Sequence, residues 1–170
     1  KFLWSLDADR RPEVEHAEGR GHALGVADDQ GHQLIRMQVP AGRGLDTVEV
    51  ADGHLTVGAL TRHNDVVHSE VVAAENHTMA AAAPWISDPL VRNLGTVGGS
   101  LAHSDPQGDW GSVMLACGAE MVARTTRGER TIPVGEFFVD LFTSALEPDE
   151  LLMEIHVPRY QGPAGGTYLK

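Results

Sequence analysis

A glycine-rich stretch with small hydroxyl side chains is the part of this sequence best suited to binding chemistry. It holds three glycines within five residues and no basic residue; its members are Gly95, Thr96, Val97, Gly98, Gly99 and Ser100. Glycine lets the backbone approach a ligand closely, and successive backbone N–H groups can form a nest for an anion such as a phosphate. Asp109, further along the chain, suits a sugar or polyol hydroxyl. This order of residues favours a dinucleotide site.

The glycine stretch differs from the common nucleotide-binding fingerprints. The chain contains no G-x-x-x-x-G-K-[ST] sequence and no G-x-G-x-x-G run between a strand and a helix. A structural turn that packs two strands closely would use the same glycines. Composition therefore leaves both interpretations open.

The composition predicts a globular protein that does not bind nucleic acid. The chain has 170 residues, 42% of them hydrophobic, and a formal net charge of -11. Its length allows one domain or two small subdomains, and its charge repels phosphate backbones at long range. No apolar run approaches the ~20 residues of a transmembrane helix. A single cysteine, Cys117, excludes an intrachain disulfide and fits a reducing, cytoplasmic location.

The order of predicted elements favours an α+β fold. Residues 47–50 and 54–59 alternate in hydrophobicity on either side of Asp52-Gly53, which predicts a hairpin. Helices are predicted over residues 71–83 and 111–118, and strands over 119–125 and 150–157. Short helices and strands follow one another without regular βαβ alternation, so a doubly wound sheet is not expected.

The first 44 residues differ from the rest of the chain. Charges, histidines and glycines alternate there with little periodicity, and the one predicted strand covers residues 33–39. We therefore divide the chain into a divergent or disordered N-terminal remnant, residues 1–44, and an ordered part, residues 45–170. The chain also begins without methionine and ends in what resembles the start of a strand, so we expect a fragment of a longer polypeptide.

Other side chains that could do chemistry are interpreted as structural or solvated. Solvated surface positions are expected for His54, His63, His68 and His77. His103 and Asp105 lack a third ligand nearby, so we do not expect a metal site. The residues expected in the core are Trp85, Trp110, Cys117, Phe137 and Phe138, with approach to an aromatic cofactor as the alternative for either tryptophan. An acidic patch, interpreted as a solvated edge or a subunit contact, comprises Glu147, Asp149, Glu150 and Glu154.

Several ordered motifs together resemble one family. They are D-G-x-L-x-V-G-A-L-T at 52–61, V-R-N-L-G-T-V-G-G-S at 91–100, Asp109, G-E-R-T-I-P at 128–133, Phe137-Phe138 and L-x-P-x-E-L-L-x-x-I-x-V-P at 146–158. This set is similar to the flavin-binding medium subunit of molybdenum hydroxylases, the family of aerobic carbon monoxide dehydrogenases and xanthine dehydrogenases. The resemblance covers residues 45–170.

The resemblance implies a fold, a cofactor and a set of site residues. The fold would be the two-subdomain α+β FAD-binding domain of the vanillyl-alcohol-oxidase-like (PCMH) type, here as a fragment without the C-terminal subdomain. FAD would lie between the subdomains, with its pyrophosphate on two glycine-rich loops. The implied cofactor-binding residues are Gly95, Thr96, Val97, Gly98, Gly99, Ser100, Asp109, Leu152 and Lys170. Asp109 would lie near the ribityl or ring end, Leu152 (or Leu151) on the isoalloxazine, and Lys170 near the cofactor.

One departure from the family concerns the first phosphate loop. An Ala-Gly-Gly-Gln-Ser-Leu type motif is expected directly after Lys1-Phe2-Leu3, where this chain has Trp4-Ser5-Leu6-Asp7. We therefore expect weaker FAD binding than in a relative that has both loops.

The resemblance also implies a function and partners. The chain would pass electrons from iron–sulfur clusters through FAD to an external acceptor, with an iron–sulfur small subunit and a molybdopterin large subunit as partners. No catalytic residue and no metal ligand is expected in this chain. Two alternatives are a subunit-docking module that has lost FAD binding and a stand-alone flavoprotein reductase.

Overall fold

A computed structural model describes residues 44–160, 162 and 164–170, together with the backbone of two short strands, β1 (Ala23–Leu24) and β2 (Met37–Gln38). Contacts divide the chain into two compact units, Lys1–Gly44 and Leu45–Lys170. In the first unit β1 and β2 pair antiparallel. The strand predicted over residues 33–39 contains β2, and its remaining residues, like Trp4-Ser5-Leu6-Asp7, lie outside the described residues.

The second unit contains a five-stranded antiparallel sheet, a separate pair of short strands and several short helices. Its strands are β3 (Val48–Ala51), β4 (His54–Gly58), β5 (Glu120–Arg124), β6 (Glu129–Pro133), β7 (Phe138–Asp140), β8 (Thr143–Ser144) and β9 (Leu151–Pro158). Its helices are α1 (His63–Val67), α2 (Glu70–Glu75), α3 (His77–Ala82), α4 (Pro89–Leu94), α5 (Val97–His103), α6 (Asp109–Cys117) and α7 (Val134–Phe137), with a 3-10 turn at Ala83–Trp85. The sheet order is β3-β4-β9-β5-β6, and β7 pairs with β8 separately.

The predicted hairpin forms the edge of this sheet. Strands β3 and β4 pair from Val48 opposite Val57 to Ala51 opposite His54. The two turn residues, Asp52 and Gly53, have φ angles of 50° and 81°. Positive φ at both central positions is the geometry of a type I′ turn, which Asp-Gly favours. The hairpin prediction is confirmed.

The central strand β9 carries a bulge, next to which consecutive residues are buried. Leu152 lies opposite Ala123 and Glu154 opposite Val122, so Met153 is the extra residue. A bulge interrupts the alternation of side chains along a strand, and here all residues from 152 to 155 are buried. The Met153 carbonyl accepts a hydrogen bond from the N–H of Ala59 at 2.9 Å.

The helix predicted over residues 71–83 is wrong, because the structure has two helices there. Asn76 ends α2 and begins α3 with φ -144° and ψ 95°, outside the helical region. Its side-chain oxygen accepts the N–H of Met79 at 2.9 Å. Asparagine competes in this way with the backbone bonds of a continuous helix. Alanine content alone did not reveal the break.

The core lies between one face of the sheet and the helices, and it contains most of the side chains expected there. Trp110 and Phe137 are fully buried, Cys117 is buried, and Phe138 packs against the core from a half-buried position. The prediction for Trp85 is wrong, because 61% of this residue is exposed. Trp85 ends the 3-10 turn that contains Pro84, and it is not a member of the core cluster.

The predicted acidic patch does not form one solvated edge. Glu154 is buried, with its Oε2 2.9 Å from His156 Nε2. The Glu150 side chain is 7% exposed and accepts two hydrogen bonds from the Arg130 guanidinium, at 2.6 and 2.7 Å. These bonds hold the pKa of the Glu150 carboxyl below its ordinary value. The solvated interpretation is therefore wrong for these two carboxylates, whereas Glu147 is exposed.

Candidate FAD site

The glycine stretch is a turn followed by the first turn of a helix. Thr96 is the N-cap of α5, with φ -114° and ψ 152°, and its Oγ1 accepts the N–H of Gly99 at 3.1 Å. Threonine is a good N-cap because its hydroxyl satisfies one of the unpaired N–H groups of the first turn. The glycines after Thr96 therefore lie within a helix that Thr96 begins.

The backbone donors of this turn are directed into the protein. Val97 N–H donates to the Thr61 carbonyl and Gly98 N–H to the Ala59 carbonyl, both at 2.9 Å. Ser100 N–H donates to the Thr96 carbonyl at 3.0 Å, and Gly99 N–H is held by Thr96 Oγ1. The structure thus differs from the expected anion nest, since all four amides already have partners.

Two of the three glycines are required for close packing. A Cβ built on Gly98 would lie 2.5 Å from Ala59 Cβ and 2.6 Å from the Ala59 carbonyl oxygen. A Cβ on Gly95 would lie 2.9 Å from His63 Nε2. Among the described residues, and apart from its chain neighbours and the backbone of its own helix, a Cβ on Gly99 would meet only Thr96 Oγ1 within 4 Å, at 2.8 Å. Gly99 is therefore the glycine at which another molecule could approach the backbone.

Two half-buried hydroxyls beside Gly99 remain suitable donors. Thr96 Oγ1 accepts a bond, so its own hydrogen stays available for a further acceptor. Ser100 is half-buried, and its hydroxyl has no hydrogen bond to any described residue. Side chains, rather than backbone amides, are the groups here that could hold phosphate oxygens.

Asp109 and Lys170 form an ion pair. Lys170 Nζ lies 2.7 Å from Asp109 Oδ2 and also donates to the Trp85 carbonyl at 3.1 Å. Asp109 is the first residue of α6, directly after the N-cap Gly108. The Asp109 side chain is 15% exposed and that of Lys170 51%. Two residues that the resemblance assigned separately to a cofactor thus lie in direct contact.

Tyr168 completes this cluster. Its hydroxyl donates to Asp109 Oδ1 at 2.5 Å. The hydrogen bond to the carboxylate favours the neutral phenol and, with burial, raises the pKa of Tyr168 to about 12. Tyr168 and Lys170 therefore each bind one of the two oxygens of the Asp109 carboxylate. Sequence reasoning did not single out Tyr168, because this contact joins residues far apart in the chain.

Leu152 lies in a different environment. It is 9% exposed and belongs to the hydrophobic core on β9, against which α5 packs. Its side chain is thus a core residue in this conformation and not part of the Asp109–Lys170 cluster. Leu151, the alternative position, is half-buried.

His63 is buried, so its assignment to the solvated surface is wrong. It is 4% exposed, and its Nδ1 accepts the indole N–H of Trp110 at 2.9 Å. Burial and then the nearby Arg92 charge lower the pKa of His63 below its ordinary value. In the sequence, nothing distinguishes His63 from the exposed His68 and His77.

The described residues include neither a group of metal ligands nor a helix that could span a membrane. Among residues 44–160, 162 and 164–170, no group of three His, Cys, Asp or Glu side chains could bind a metal ion. His103 instead lies against Phe142, with ring centroids 5.3 Å apart. In the same part of the chain, no helix has both the length and the apolar character of a membrane span.

Comparison with known proteins identifies the family. Residues 21–160 match the model of the FAD binding domain in molybdopterin dehydrogenase. The chain belongs to this family. The match begins upstream of residue 45, where the motif resemblance began, so the family sequence extends further toward the N-terminus than the motifs indicated.

Relatives of known activity agree with this FAD-binding family. The carbon monoxide dehydrogenase medium chain of Hydrogenophaga pseudoflava is 38% identical over 139 residues, covering 82% of this chain and 47% of the relative. The 6-hydroxypseudooxynicotine dehydrogenase complex subunit alpha of Paenarthrobacter nicotinovorans is 38% identical over 125 residues, covering 74% and 42%. The chain thus spans less than half the length of these relatives.

Solved structures confirm the predicted α+β class. A carbon monoxide dehydrogenase from Hydrogenophaga pseudoflava superposes with a TM-score of 0.67 at 37% identity, covering 69% of this chain and 41% of that chain. Quinoline 2-oxidoreductase from Pseudomonas putida 86 gives 0.66 at 28% identity, covering 68% and 41%. Both matches support the fold expected of an FAD-binding fragment.

Proposed function

We propose that this chain is the FAD-binding part of a molybdenum-hydroxylase medium subunit. In this role it passes electrons from iron–sulfur clusters through FAD to an external acceptor. The observation that carries the proposal is the contact between Asp109 and Lys170, at 2.7 Å. Family membership over residues 21–160 supplies the cofactor class, and this contact supports the proposed position of the ribityl or ring end.

The side chains present fit FAD. We assign the phosphates to the Thr96 and Ser100 hydroxyls, with Gly99 permitting close approach and Gly95, Val97 and Gly98 setting the path of the backbone. Lys170, whose ammonium is paired with Asp109, is assigned with that residue to the ribityl or ring end of the cofactor.

The remaining contacts are assigned to the ribityl and ring end. Asp109 suits a ribityl hydroxyl, and the half-buried Leu151, rather than the core residue Leu152, is assigned to the apolar ring end. When bound, FAD supplies the electron-accepting chemistry, while the protein binds and orients it.

The cysteine content of this sequence supports separate partner subunits. It has one cysteine, so it cannot hold a cluster with four thiolate ligands. We propose an iron–sulfur small subunit and a molybdopterin large subunit as partners in the cytoplasm. Exposed apolar side chains available for such contacts are Trp85, Leu90, Val91 and Leu94.

A second candidate is a docking module that has lost FAD binding. It is favoured by the internal pairing of all four amides from Val97 to Ser100. It is also favoured by the sequence Trp4-Ser5-Leu6-Asp7, which stands where the family resemblance implies the first phosphate loop. The two candidates differ in a single measurable property, which is saturable binding of FAD.

An FAD titration of Thr96→Val tests the assignment. Valine keeps the branched shape but removes the hydroxyl, and a lost hydrogen bond to a charged group costs about 1.5–3 kcal/mol. We therefore expect the Kd for FAD to rise roughly tenfold to a hundredfold. Quenching of flavin fluorescence measures this binding. Thr96→Ser, which retains the hydroxyl, is expected to bind as the native chain does.

Two controls separate ligand loss from misfolding. Thr131→Val makes the same chemical change at an exposed position on β6 and should leave the Kd unchanged. Thermal unfolding of Thr96→Val measures the stability lost with the N-cap, which is about 1 kcal/mol. If Thr96→Val bound FAD saturably with the same Kd as the native chain, Thr96 would not belong to the site. If the native chain showed no saturable binding, the docking module would be favoured.

A further inference from the structure

One buried histidine touches both segments assigned to FAD. His63 is the first residue of α1, and its backbone N–H donates to the Gly95 carbonyl at 3.1 Å. The residues before it make similar contacts, because Arg62 forms a β-bridge with Thr96 and the Thr61 carbonyl accepts the N–H of Val97. The start of α1 therefore fixes the backbone on which the glycine stretch lies.

The ring of His63 contacts the second segment. Its Nδ1 accepts the Trp110 indole N–H at 2.9 Å, and Trp110 directly follows Asp109 in the first turn of α6. Trp110 is fully buried, so its N–H would otherwise lack a partner in the core. A neutral imidazole that accepts at Nδ1 carries its proton on Nε2.

The opposite side of the same ring lies against Gly95. A Cβ on Gly95 would be 2.9 Å from His63 Nε2 and 3.0 Å from His63 Cδ2, so the ring occupies the space that a side chain would need. Gly95 is thus close-packed on an imidazole whose other nitrogen is bonded to Trp110. One side chain links the turn before Thr96 to the turn that carries Asp109.

We propose that His63 is a positioning residue of the flavin site, which holds the Gly95–Ser100 stretch and Asp109 in a fixed relation through its hydrogen bond to Trp110. This inference rests on the proposed FAD function. Residues that fix the orientation of ligand-contacting groups contribute to affinity although they do not touch the ligand.

The environment of the ring keeps it an acceptor. Nδ1 accepts the Trp110 N–H, which requires its lone pair, and burial and then the Arg92 guanidinium lower the pKa of His63, which favours this neutral form. A simple packing role would require the shape of the ring but not this acceptor. The chemistry of Nδ1 therefore distinguishes positioning from packing.

The test compares His63→Leu with His63→Asn. In asparagine Oδ1 is separated from Cα by the same number of bonds as Nδ1 in histidine, so it can accept the Trp110 N–H. We expect His63→Leu to raise the Kd for FAD about tenfold and His63→Asn to restore most of the affinity. His77→Leu, which removes an exposed histidine, is the matched control and should bind as the native chain does.

NMR of the indole N–H protons gives a readout that does not depend on FAD. The Trp110 resonance should shift upfield and exchange faster with solvent in His63→Leu, and should return toward its native position in His63→Asn. If His63→Leu does not fold, Trp110→Phe removes the donor while keeping an aromatic ring and should weaken FAD binding in the same direction.

Three outcomes decide between the possibilities. A native chain that binds no FAD contradicts the proposed function, whereas the indole resonances still report on the His63–Trp110 bond. A native chain that binds FAD, with folded His63→Leu or Trp110→Phe binding equally well, overturns the positioning role. Equal loss of affinity in His63→Leu and His63→Asn would also overturn it, because shape rather than the acceptor would then matter.

Discussion

Gly98→Val is expected to destabilise the second unit, and not only to weaken FAD binding. The new Cβ would lie 2.5 Å from Ala59 Cβ and 2.6 Å from the Ala59 carbonyl oxygen. Ala59 directly follows β4, so it cannot move away without disturbing the pairing of β4 with β9. The movement would also stretch the bond from Gly98 N–H to Ala59. We expect the free energy of unfolding to fall by about 3 kcal/mol, the upper end for overpacking of a core, measured by urea denaturation.

Gly135→Val is the matched control for this prediction. Gly135 is exposed in α7, and a Cβ there would meet no atom of another described element within 4 Å. Helix propensity favours valine over glycine by a few tenths of a kcal/mol, so Gly135→Val should leave the free energy of unfolding nearly unchanged. If Gly98→Val unfolded at the same urea concentration as Gly135→Val, the close packing of α5 on Ala59 would be contradicted.

Asp109→Asn is expected to change the titration of Tyr168. The carboxylate hydrogen bond is the main cause of the raised pKa, so its loss should move the value from about 12 toward the ordinary 10.0. Tyrosinate absorbance near 295 nm measures this shift, and Tyr160→Phe in both proteins removes the other tyrosine of the chain. Asp46→Asn, a substitution at an exposed carboxyl, should leave the Tyr168 titration unchanged.

The same shift has a consequence for stability at high pH. Because the pKa of Tyr168 is higher in the folded chain than its ordinary value, its contribution to stability is fully present below pH 10. That contribution is lost as the pH rises from 10 toward 12. Asp109→Asn should therefore show a smaller fall in urea midpoint over this window than the native chain, and an equal fall would contradict the Asp109–Tyr168 bond.

Local patterns predicted the sheet well but the helices less well. The Asp52-Gly53 hairpin and β9 follow from alternation and turn chemistry, which depend on neighbouring residues. The break at Asn76 depends on a side chain that competes with the backbone, and an alanine-rich composition hides it. The bulge at Met153 arises from register with β5, a strand distant in the sequence.

The resemblance proposes the members of the candidate site, which stay a prediction, and the geometry of these residues could not be derived from the sequence. The resemblance assigned Asp109 and Lys170 to the cofactor, and the structure brings these two residues together. The internal bonds of Val97 and Gly98 could not be foreseen, because their partners, Thr61 and Ala59, precede them by several elements. For the same reason the burial of His63 had no signal in the sequence.

A crystal structure of the chain with FAD tests the central claim most directly. We predict density for the cofactor beside Thr96, Gly99 and Ser100, with the ribityl or ring end near the Asp109–Lys170 pair. FAD bound at another surface of the chain would contradict this placement. Crystals grown at saturating FAD that show no cofactor density, with no saturable binding in solution, would contradict the proposed function.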